Sequence, residues 1–288
     1  MQKFLGMKYN FGGLEENFSS YEGSNVVVIP VPYDGTSTWI KGADKGPDAI
    51  LEASANMELY DIEYDTEFYT IGIHTFNPLG PFQSPEEMVE QVYENVKKHI
   101  SNKYIALLGG EHAVSLGTIK AHVEAYDSVT VLQLDAHSDL RDEYEGSKYN
   151  HACVMARTRE LCPVVQVGIR SQCVEELSSF NRDDIFYAHE IAYNSRWIED
   201  IIARIRTHNV YITIDLDVFD PSIMPSTGTP EPGGLLWYET LELLEQIHRH
   251  RNVVGFDVVE LCPNEQNKAP NFLAAKLIYK MMGYKFFL

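Results

Sequence analysis

VTVLQLDAHSD, at residues 129–139, joins a largely apolar strand pattern to three side chains that favour metal ions. Asp135, His137 and Asp139 follow the apolar run at every second position. A β-strand directs alternate side chains to one face, so these three groups can leave the end of one strand together. Carboxylate and imidazole groups suit a divalent cation, and their burial without partners would be costly. The stretch therefore predicts metal ligands at the end of a buried strand.

Two other apolar runs end in similar groups. Residues 210–214 have a strand pattern that ends in Asp215 and Asp217, and the run LLGG at 107–110 precedes His112. Neighbouring carboxylates repel one another, so strand ends of this kind need positive charge between them. A lone Asp-x-Asp after a strand is more often a turn or a helix cap, but three such motifs together favour a metal site. Four aspartates and two histidines exceed one tetrahedral zinc site and suit two ions that share carboxylates.

Strand and helix signals alternate along the chain. The predicted strands are residues 26–31, 68–73, 104–108, 129–134, 164–167, 185–187, 210–214 and 253–258. The predicted helices are residues 47–59, 84–100, 113–125, 150–159, 196–206, 236–250 and 271–286. Short, continuous apolar strands favour a parallel sheet that helices cover on both faces, with ligands beyond the carboxyl ends of the strands. This pattern also fits a (β/α)₈ barrel. Because the sequence shows no linker or repeat, residues 1–288 are expected to form one domain.

Composition and charge exclude several classes of protein. The net charge of −19, from 23 basic and 42 acidic residues, argues against nucleic acid and anionic membranes as partners. It fits a cationic substrate, although solubility alone would also explain it. The chain has no apolar stretch near the ~20 residues of a membrane span, and its first eight residues lack a signal-peptide pattern. The four cysteines show no Cys-x-x-Cys spacing, so reduced thiols and a cytoplasmic location are expected.

Five motifs, in order along the chain, resemble those of the ureohydrolase family, which includes arginase and agmatinase. They are GGEH at 109–112, DAHSD at 135–139, DLDVFDP at 215–221, GTPEPGG at 228–234 and GFDVVE at 255–260. The similarity extends from about residue 26 to the last residue. It implies one three-layer α/β/α domain with a mainly parallel central sheet, rather than a barrel. It also implies two Mn²⁺ ions per subunit, although cobalt or zinc could occupy such ligands, and a homo-oligomer, either a trimer or a hexamer.

The same resemblance implies a role for each metal ligand. One ion would be held by His112, Asp135, Asp139 and Asp215. The other would be held by His137, Asp135, Asp215 and Asp217, so that Asp135 and Asp215 bridge the pair. Four aspartates would then offset two divalent ions. A metal pair of this kind lowers the pKa of water and so supplies a nucleophile for attack on a guanidinium carbon.

Three further residues complete the implied site. His151 would pass a proton to the leaving amine, a task that suits a histidine near its normal pKa. Glu260 would pair with the substrate guanidinium, and Thr229 would line the site. Asp139 would also hydrogen-bond the nucleophile. From the sequence alone, His151 could equally be a surface or core histidine, and Glu260 an exposed residue at a helix entry. The other seven histidines are expected to be structural: His74, His99, His122, His189, His208, His248 and His250.

The loop after the 135–139 motif bears on the substrate. Arginases carry Asn and Ser in this loop and an Asp after a later Gly-x-Arg, whereas this chain has DLRDEYEG at 139–146 and GIRSQ at 168–172. The first pattern resembles bacterial agmatinases, so hydrolysis of agmatine to putrescine and urea is expected. Guanidinobutyrate or another guanidine is the alternative substrate, and arginine is a weaker one. A catalytically weak protein that binds metal or polyamine is another interpretation that stays open. The surplus His112 and Asp139 argue against a single-zinc deacylase.

Overall fold

The computed structural model describes residues 9–178 and 180–288. The first eight residues, for which the sequence predicts no signal peptide, lie outside this part of the chain. Ten strands occur within it: β1 (Val26–Val31), β2 (Tyr60–Asp61), β3 (Thr66–Glu67), β4 (Ile73–Thr75), β5 (Tyr104–Gly109), β6 (Val129–Leu134), β7 (Val164–Ile169), β8 (Ile185–Tyr187), β9 (Asn209–Asp215) and β10 (Asn252–Val259). Strands β2 and β3 form a small antiparallel hairpin, and the other eight form one sheet.

The sheet has the order β4-β1-β5-β10-β9-β6-β7-β8, and all of its strand pairs are parallel. The sheet is open, with β4 and β8 at its edges, so the barrel alternative is excluded and the α/β/α prediction is confirmed. Because parallel strands all end at the same side, the carboxyl ends of β5, β10, β9 and β6 form one continuous edge at the middle of the sheet.

Helices cover both faces of the sheet. Nine α-helices lie within the described residues: α1 (Glu16–Ser19), α2 (Gly46–Ser54), α3 (Pro85–Lys97), α4 (Ser115–Ala125), α5 (Val154–Arg159), α6 (Ala188–Ile191), α7 (Trp197–Arg204), α8 (Trp237–His250) and α9 (Ala269–Phe287). Helices α2, α7, α8 and α9 pack in one apolar cluster, and α3, α4 and α5 pack in the other. Strand side chains alternate between these clusters; Val26 and Val28 enter the first, Val27 and Ile29 the second. None of these helices is long and apolar enough to cross a lipid bilayer.

The structure corrects several predicted boundaries. The predicted strand at 68–73 is wrong, because Phe68–Ile71 forms a 3₁₀ turn and the strand begins only at Ile73. Gly72 separates them with a φ of +76°, and a Cβ there would lie 2.7 Å from the Cα of Ser24. The predicted helix at 47–59 ends at Ser54, and the one at 150–159 begins as a 3₁₀ turn before α5. Pairing of β2 with β3 was not predicted, since each strand has only two residues.

Candidate active site

The middle of the sheet brings the sequence motifs together at its carboxyl edge. His112 follows β5, Asp135 follows β6, Asp215 ends β9, and Glu260 follows β10. The register places Leu134 opposite Ile214, and Val259 opposite Asp215. Groups that are far apart in sequence therefore become neighbours because four parallel strands end side by side.

The first cluster of ligands surrounds the Nδ1 atom of His112. This atom lies 3.0 Å from Asp135 Oδ2, 3.1 Å from Asp139 Oδ2 and 3.4 Å from Asp215 Oδ2. Among the described residues it has no aligned hydrogen-bond partner. The three aspartates raise the pKa of His112 well above its usual value, against the lowering that burial alone would cause. An imidazole nitrogen that faces three carboxylates in this way is placed to bind a cation.

A buried network sets the tautomer of His112. Its Nε2 lies 2.9 Å from the hydroxyl of Thr213, and that hydroxyl donates to Asp257 Oδ1 at 2.7 Å. Asp257 also accepts hydrogen bonds from Ser115 and Tyr211. Since the single proton of Thr213 goes to Asp257, His112 must donate through Nε2. In the neutral ring, Nδ1 would then have a free lone pair that faces the aspartates, as a metal ligand requires.

The second cluster surrounds His137. Its Nδ1 lies 2.8 Å from Asp217 Oδ2 and 3.7 Å from Asp135 Oδ1. The possible ligand atoms of His112, Asp135 and Asp139 lie within 4.8 Å of one another, and so do those of Asp135, His137 and Asp217. Asp135 belongs to both groups, so one carboxylate can contact two ions.

The electrostatics of the site show a deficit of positive charge. Burial, together with neighbouring carboxylates, raises the pKa of Asp139 to about 7 and that of Asp215 well above its usual value. The charges of Asp217 and Asp135 raise the pKa of His137 to about 12, although burial opposes this rise. In each case the cluster favours an added positive charge. The donor set and its charge therefore fit a pair of divalent ions.

Polar side chains inside the strands orient the aspartates. Asp135 accepts hydrogen bonds from Gln133 Nε2 and from the backbone of His137, each at 2.6 Å. Asp215 Oδ1 accepts from the backbone of Asp217 at 2.9 Å. Neither Gln133 nor Thr213 was predicted as a site residue. The signal was present, because each is a polar residue two positions before the first aspartate of a motif, within an otherwise apolar strand.

Two site residues have a left-handed backbone. Asp139 has a φ of +52° and Glu260 a φ of +66°, a conformation that costs a non-glycine residue of order 1–3 kcal/mol. Hydrogen bonds hold Glu260 in place, since its N–H donates to Gly110 O at 2.7 Å and its Oε1 accepts from the N–H of His112 at 2.7 Å. The carboxylate of Glu260 is thereby fixed beside the first cluster.

A cavity of about 250 Å³ opens onto these groups. Its wall includes eight of the nine site residues predicted from sequence: His112, His137, Asp139, His151, Asp215, Asp217, Thr229 and Glu260. Asp135, the ninth, is fully buried beside them. Trp39 and Tyr144 also line the cavity. Neither was predicted as a site residue, although Tyr144 lies within the loop pattern at 139–146 that resembles agmatinases. The seven histidines expected to be structural lie outside both clusters.

His151 differs from the expectation in one respect. Burial lowers the pKa of His151 to about 4, so this imidazole is neutral at pH 7 rather than close to half-protonated. Its Nδ1 lies 3.3 Å from Thr36 Oγ1. A neutral imidazole in the cavity wall can accept a proton before it donates one.

An open parallel sheet with paired His/Asp clusters at its carboxyl edge defines an α/β protein with room for a metal pair. Residues 24–283 match the family model described as "Arginase family", which covers most of the chain. The chain belongs to the arginase family.

Individual relatives agree with this assignment. The chain is 42% identical to an N(1)-aminopropylagmatine ureohydrolase from Synechocystis, over 93% of this chain and 92% of that protein. It is 34% identical to an agmatinase from Pyrococcus horikoshii, over 90% and 92% of the two chains. Its fold matches the crystal structure of an agmatine ureohydrolase from Thermoplasma volcanium, with a TM-score of 0.86 and 31% identity, over 96% of this chain and 94% of that one.

Proposed function

We propose that this protein hydrolyses the guanidinium group of a linear amine and releases urea and the free amine. The observation that carries the proposal is the pair of His/Asp clusters that share Asp135 in one cavity with Glu260 and His151. Membership of the arginase family and the ureohydrolase names of the relatives support it.

The ligands divide between two metal sites. One ion would be held by His112, Asp139, Asp135 and Asp215, and the other by His137, Asp217, Asp135 and Asp215. Manganese is the proposed metal, since carboxylates suit it and imidazole is compatible with it. When bound, such a pair activates water as a nucleophile and neutralises the negative charge that develops.

The remaining groups of the cavity act on the substrate. Glu260 pairs with the guanidinium through a charge-assisted hydrogen bond. Burial, reinforced by the charge of Glu111, raises the pKa of Glu260 well above its usual value, and a cationic partner would relieve this unfavourable setting. Asp139 accepts a hydrogen bond from the nucleophile, and His151 delivers a proton to the leaving amine. Thr229 forms part of the wall beside the guanidinium.

The charges of the cavity support a cationic substrate. Five carboxylates, those of the four aspartates and Glu260, lie among three imidazoles, those of His112, His137 and His151. Glu176 and Arg141, which also line the cavity, carry opposite charges that offset each other. Two divalent ions would supply four positive charges, and one guanidinium would supply the fifth. A substrate that carries its own carboxylate, such as arginine or guanidinobutyrate, would add negative charge to an acidic site. This comparison favours an amine over a guanidino acid.

Within this class, N(1)-aminopropylagmatine is the preferred substrate, and agmatine is the second candidate. The relative with that name is 42% identical, whereas the agmatinase from Pyrococcus horikoshii is 34% identical. The mouth of the cavity carries Trp39, which is 70% exposed, and Tyr144. The Tyr144 ring already has the guanidinium of Arg141 over it, 4.6 Å from the ring centroid. The exposed indole of Trp39 can attract an ammonium group by about 0.5–2 kcal/mol, so it can hold the longer amine arm. Agmatine remains the second candidate because the Thermoplasma protein is named an agmatine ureohydrolase and the Pyrococcus relative is named an agmatinase.

One assay tests both levels of the proposal. Urea release is measured with N(1)-aminopropylagmatine, agmatine, arginine and guanidinobutyrate at fixed Mn²⁺ concentration. We expect kcat/KM for N(1)-aminopropylagmatine to exceed that for agmatine about tenfold, which corresponds to about 1.4 kcal/mol. The two guanidino acids should be much poorer substrates. Replacement Trp39→Ala should reduce the preference for the longer amine and leave agmatine turnover nearly constant.

Each outcome has a defined meaning. Absence of urea from all four compounds would overturn the ureohydrolase assignment in favour of a binding protein on this fold. Equal turnover of the two amines would overturn only the substrate preference. Arginine turnover above that of both amines would contradict the choice of an amine substrate.

A further inference from the structure

A chain of three hydrogen-bonded side chains connects the cavity to the loop after β1. Thr36 Oγ1 donates to Glu111 Oε1 at 2.5 Å and lies 3.3 Å from His151 Nδ1. The backbone N–H of His151 also donates to Thr36 Oγ1, at 3.0 Å. Neither Thr36 nor Glu111 was predicted as a site residue, and Thr36 is 115 residues away from His151 in sequence.

The carboxylate of Glu111 accepts hydrogen bonds from four donors. It is fully buried, and its Oε2 accepts from the N–H of Thr36 at 2.7 Å, the N–H of Ser37 at 2.6 Å and the hydroxyl of Ser37 at 3.1 Å. With the hydroxyl of Thr36, four donors converge on one carboxylate. Four donors are the set that an ionised carboxylate accepts.

The direction of each hydrogen bond follows from the donor count. A hydroxyl has one proton and two lone pairs. The hydroxyl of Thr36 donates its proton to Glu111, and one lone pair of Oγ1 accepts from the backbone N–H of His151. Only a lone pair is left to face His151 Nδ1, so Nδ1 must be the donor. Nε2 then carries the free lone pair of the ring and is the nitrogen available to the cavity.

We infer that Thr36 and Glu111 are positioning residues that fix His151 in the tautomer protonated at Nδ1. This inference rests on the proposed proton transfer by His151. Water gives a proton to Nε2 as its oxygen bonds to the guanidinium carbon. Nε2 then returns that proton to the amine nitrogen, which keeps the electron pair when its bond to carbon breaks. The C=O bond of urea forms at the same time, and the second proton of the water passes from the urea oxygen to the amine, which departs as an ammonium ion. Nδ1 keeps its hydrogen and its contact with Thr36 throughout, so the imidazole stays aligned while it is charged.

Replacement Thr36→Val tests the link between Glu111 and His151. Valine matches threonine in shape, and the backbone donors from residues 36 and 37 to Glu111 are retained. We expect kcat to fall about tenfold to hundredfold, the usual range for loss of a supporting hydrogen bond, with KM changed less than about twofold. Thr36→Ser should restore most of kcat. The control is Thr207→Val, which removes a part-buried hydroxyl with two hydrogen bonds near the opposite ends of the strands.

Replacement Glu111→Gln tests the direction of the hydrogen bonds that connect residue 111, Thr36 and His151. The amide nitrogen would donate to Thr36, whose proton would turn toward His151 Nδ1 and shift the ring hydrogen to Nε2. The tautomer is measured by long-range ¹H–¹⁵N spectra of histidine-labelled protein loaded with diamagnetic Mg²⁺, and His151→Ala assigns the signal. We expect Nδ1–H in the wild-type protein and Nε2–H in the variant. Metal content and melting temperature are recorded for every variant.

Failure of the inference differs from failure of the proposed function. An active wild-type enzyme with unchanged kcat in Thr36→Val would overturn the inference, and so would Thr36→Ser as impaired as Thr36→Val. A wild-type Nε2–H tautomer would overturn it whether or not the enzyme is active. A wild-type protein that releases no urea would instead overturn the proposed function, and the tautomer measurement would still decide the inference. If Glu111→Gln fails to fold, the two Thr36 variants decide alone.

Discussion

At the scale of single residues, His151 is a neutral imidazole in a cavity whose charged groups are mainly acidic. Its ring is buried enough to lower its pKa to about 4 and belongs to neither ligand cluster. We predict that His151→Ala lowers kcat by about 10²–10³-fold, within the range of general acid–base catalysis. The content of bound manganese should stay at the wild-type level, because the ligand atoms are all retained.

Metal analysis after gel filtration and steady-state urea release are the measurements for this variant. His189→Ala is the control, since the side chain of His189 is 74% exposed and does not line the cavity. Loss of manganese in His151→Ala would show that the residue supports the metal site and would contradict a role in proton transfer.

His122 shows a different consequence of burial. It is fully buried, it contacts Thr118 O through Nδ1 at 2.8 Å, and burial lowers its pKa to about 4. In the unfolded chain a histidine has a pKa of about 6.5, so the unfolded state binds the proton first as the pH falls. Above pH 6.5, His122 is neutral in both the folded and the unfolded states, so it does not make the stability depend on pH. Stability is lost between pH 6.5 and pH 4, by about 2 kcal/mol at pH 5.

Denaturant unfolding at pH 7.5 and pH 5 tests this prediction. The variant His122→Gln should show a loss of stability between these values that is smaller by about 2 kcal/mol than the wild-type loss. His189→Gln, with its exposed side chain, is the control and should keep the wild-type dependence. An unchanged pH dependence in His122→Gln would contradict the assigned cause.

At the scale of secondary-structure elements, the predictable part of the site lies at the ends of single strands. Asp135 and Asp215 each follow a short apolar run, and the period of two places their neighbours on one face, so local sequence was sufficient. The position of Glu260 was not predictable in this way. It contacts His112 because β10 lies between β5 and β9 in the sheet, an order set by long-range pairing. Thr36 was missed for the same reason, since its partners are remote in sequence.

Arg170 helps to hold the loop at 228–234, together with Asp220, whose carboxylate accepts from the N–H groups of Gly233 and Gly234. The guanidinium of Arg170 donates to the carbonyls of Asp217 and Glu231 at 2.7 Å and to that of Pro232 at 3.1 Å. It thus joins the end of β9 to the loop that carries Thr229. Arginine can do this because its planar group presents five donors, whereas lysine offers a single point of charge.

We predict that Arg170→Lys loosens this loop although the charge is kept. The free energy of unfolding should fall by about 2 kcal/mol, as expected for lost hydrogen bonds to buried carbonyls, and KM for the amine substrate should rise. Thermal unfolding and initial-rate measurements test the two effects. Arg196→Lys, at an exposed position, is the control. A variant with wild-type stability and KM would show that the loop is held by its own backbone.

At the scale of the whole molecule, the candidate metal ligands tie together the central strands. They follow β5, β6 and β9, and their carboxylates are buried side by side. Without cations these groups repel one another, so the folded state bears a cost that metal binding removes. Unfolding separates the three strand ends and destroys the site. Metal ions should therefore stabilise the entire fold, and not only the loops around the cavity.

We predict that the melting temperature of the metal-free protein rises by about 5 °C or more when Mn²⁺ is added at about 100 times its Kd, since this ratio contributes about 2.7 kcal/mol per site. Saturation should occur at two ions per chain, as measured by metal analysis. Asp135→Asn should abolish most of the rise because Asp135 is common to both clusters. Asp200→Asn, an exposed position on α7, should retain it. If Asp135→Asn keeps both the rise and the two ions, Asp135 cannot be the bridge, and the two clusters would have to bind their ions independently.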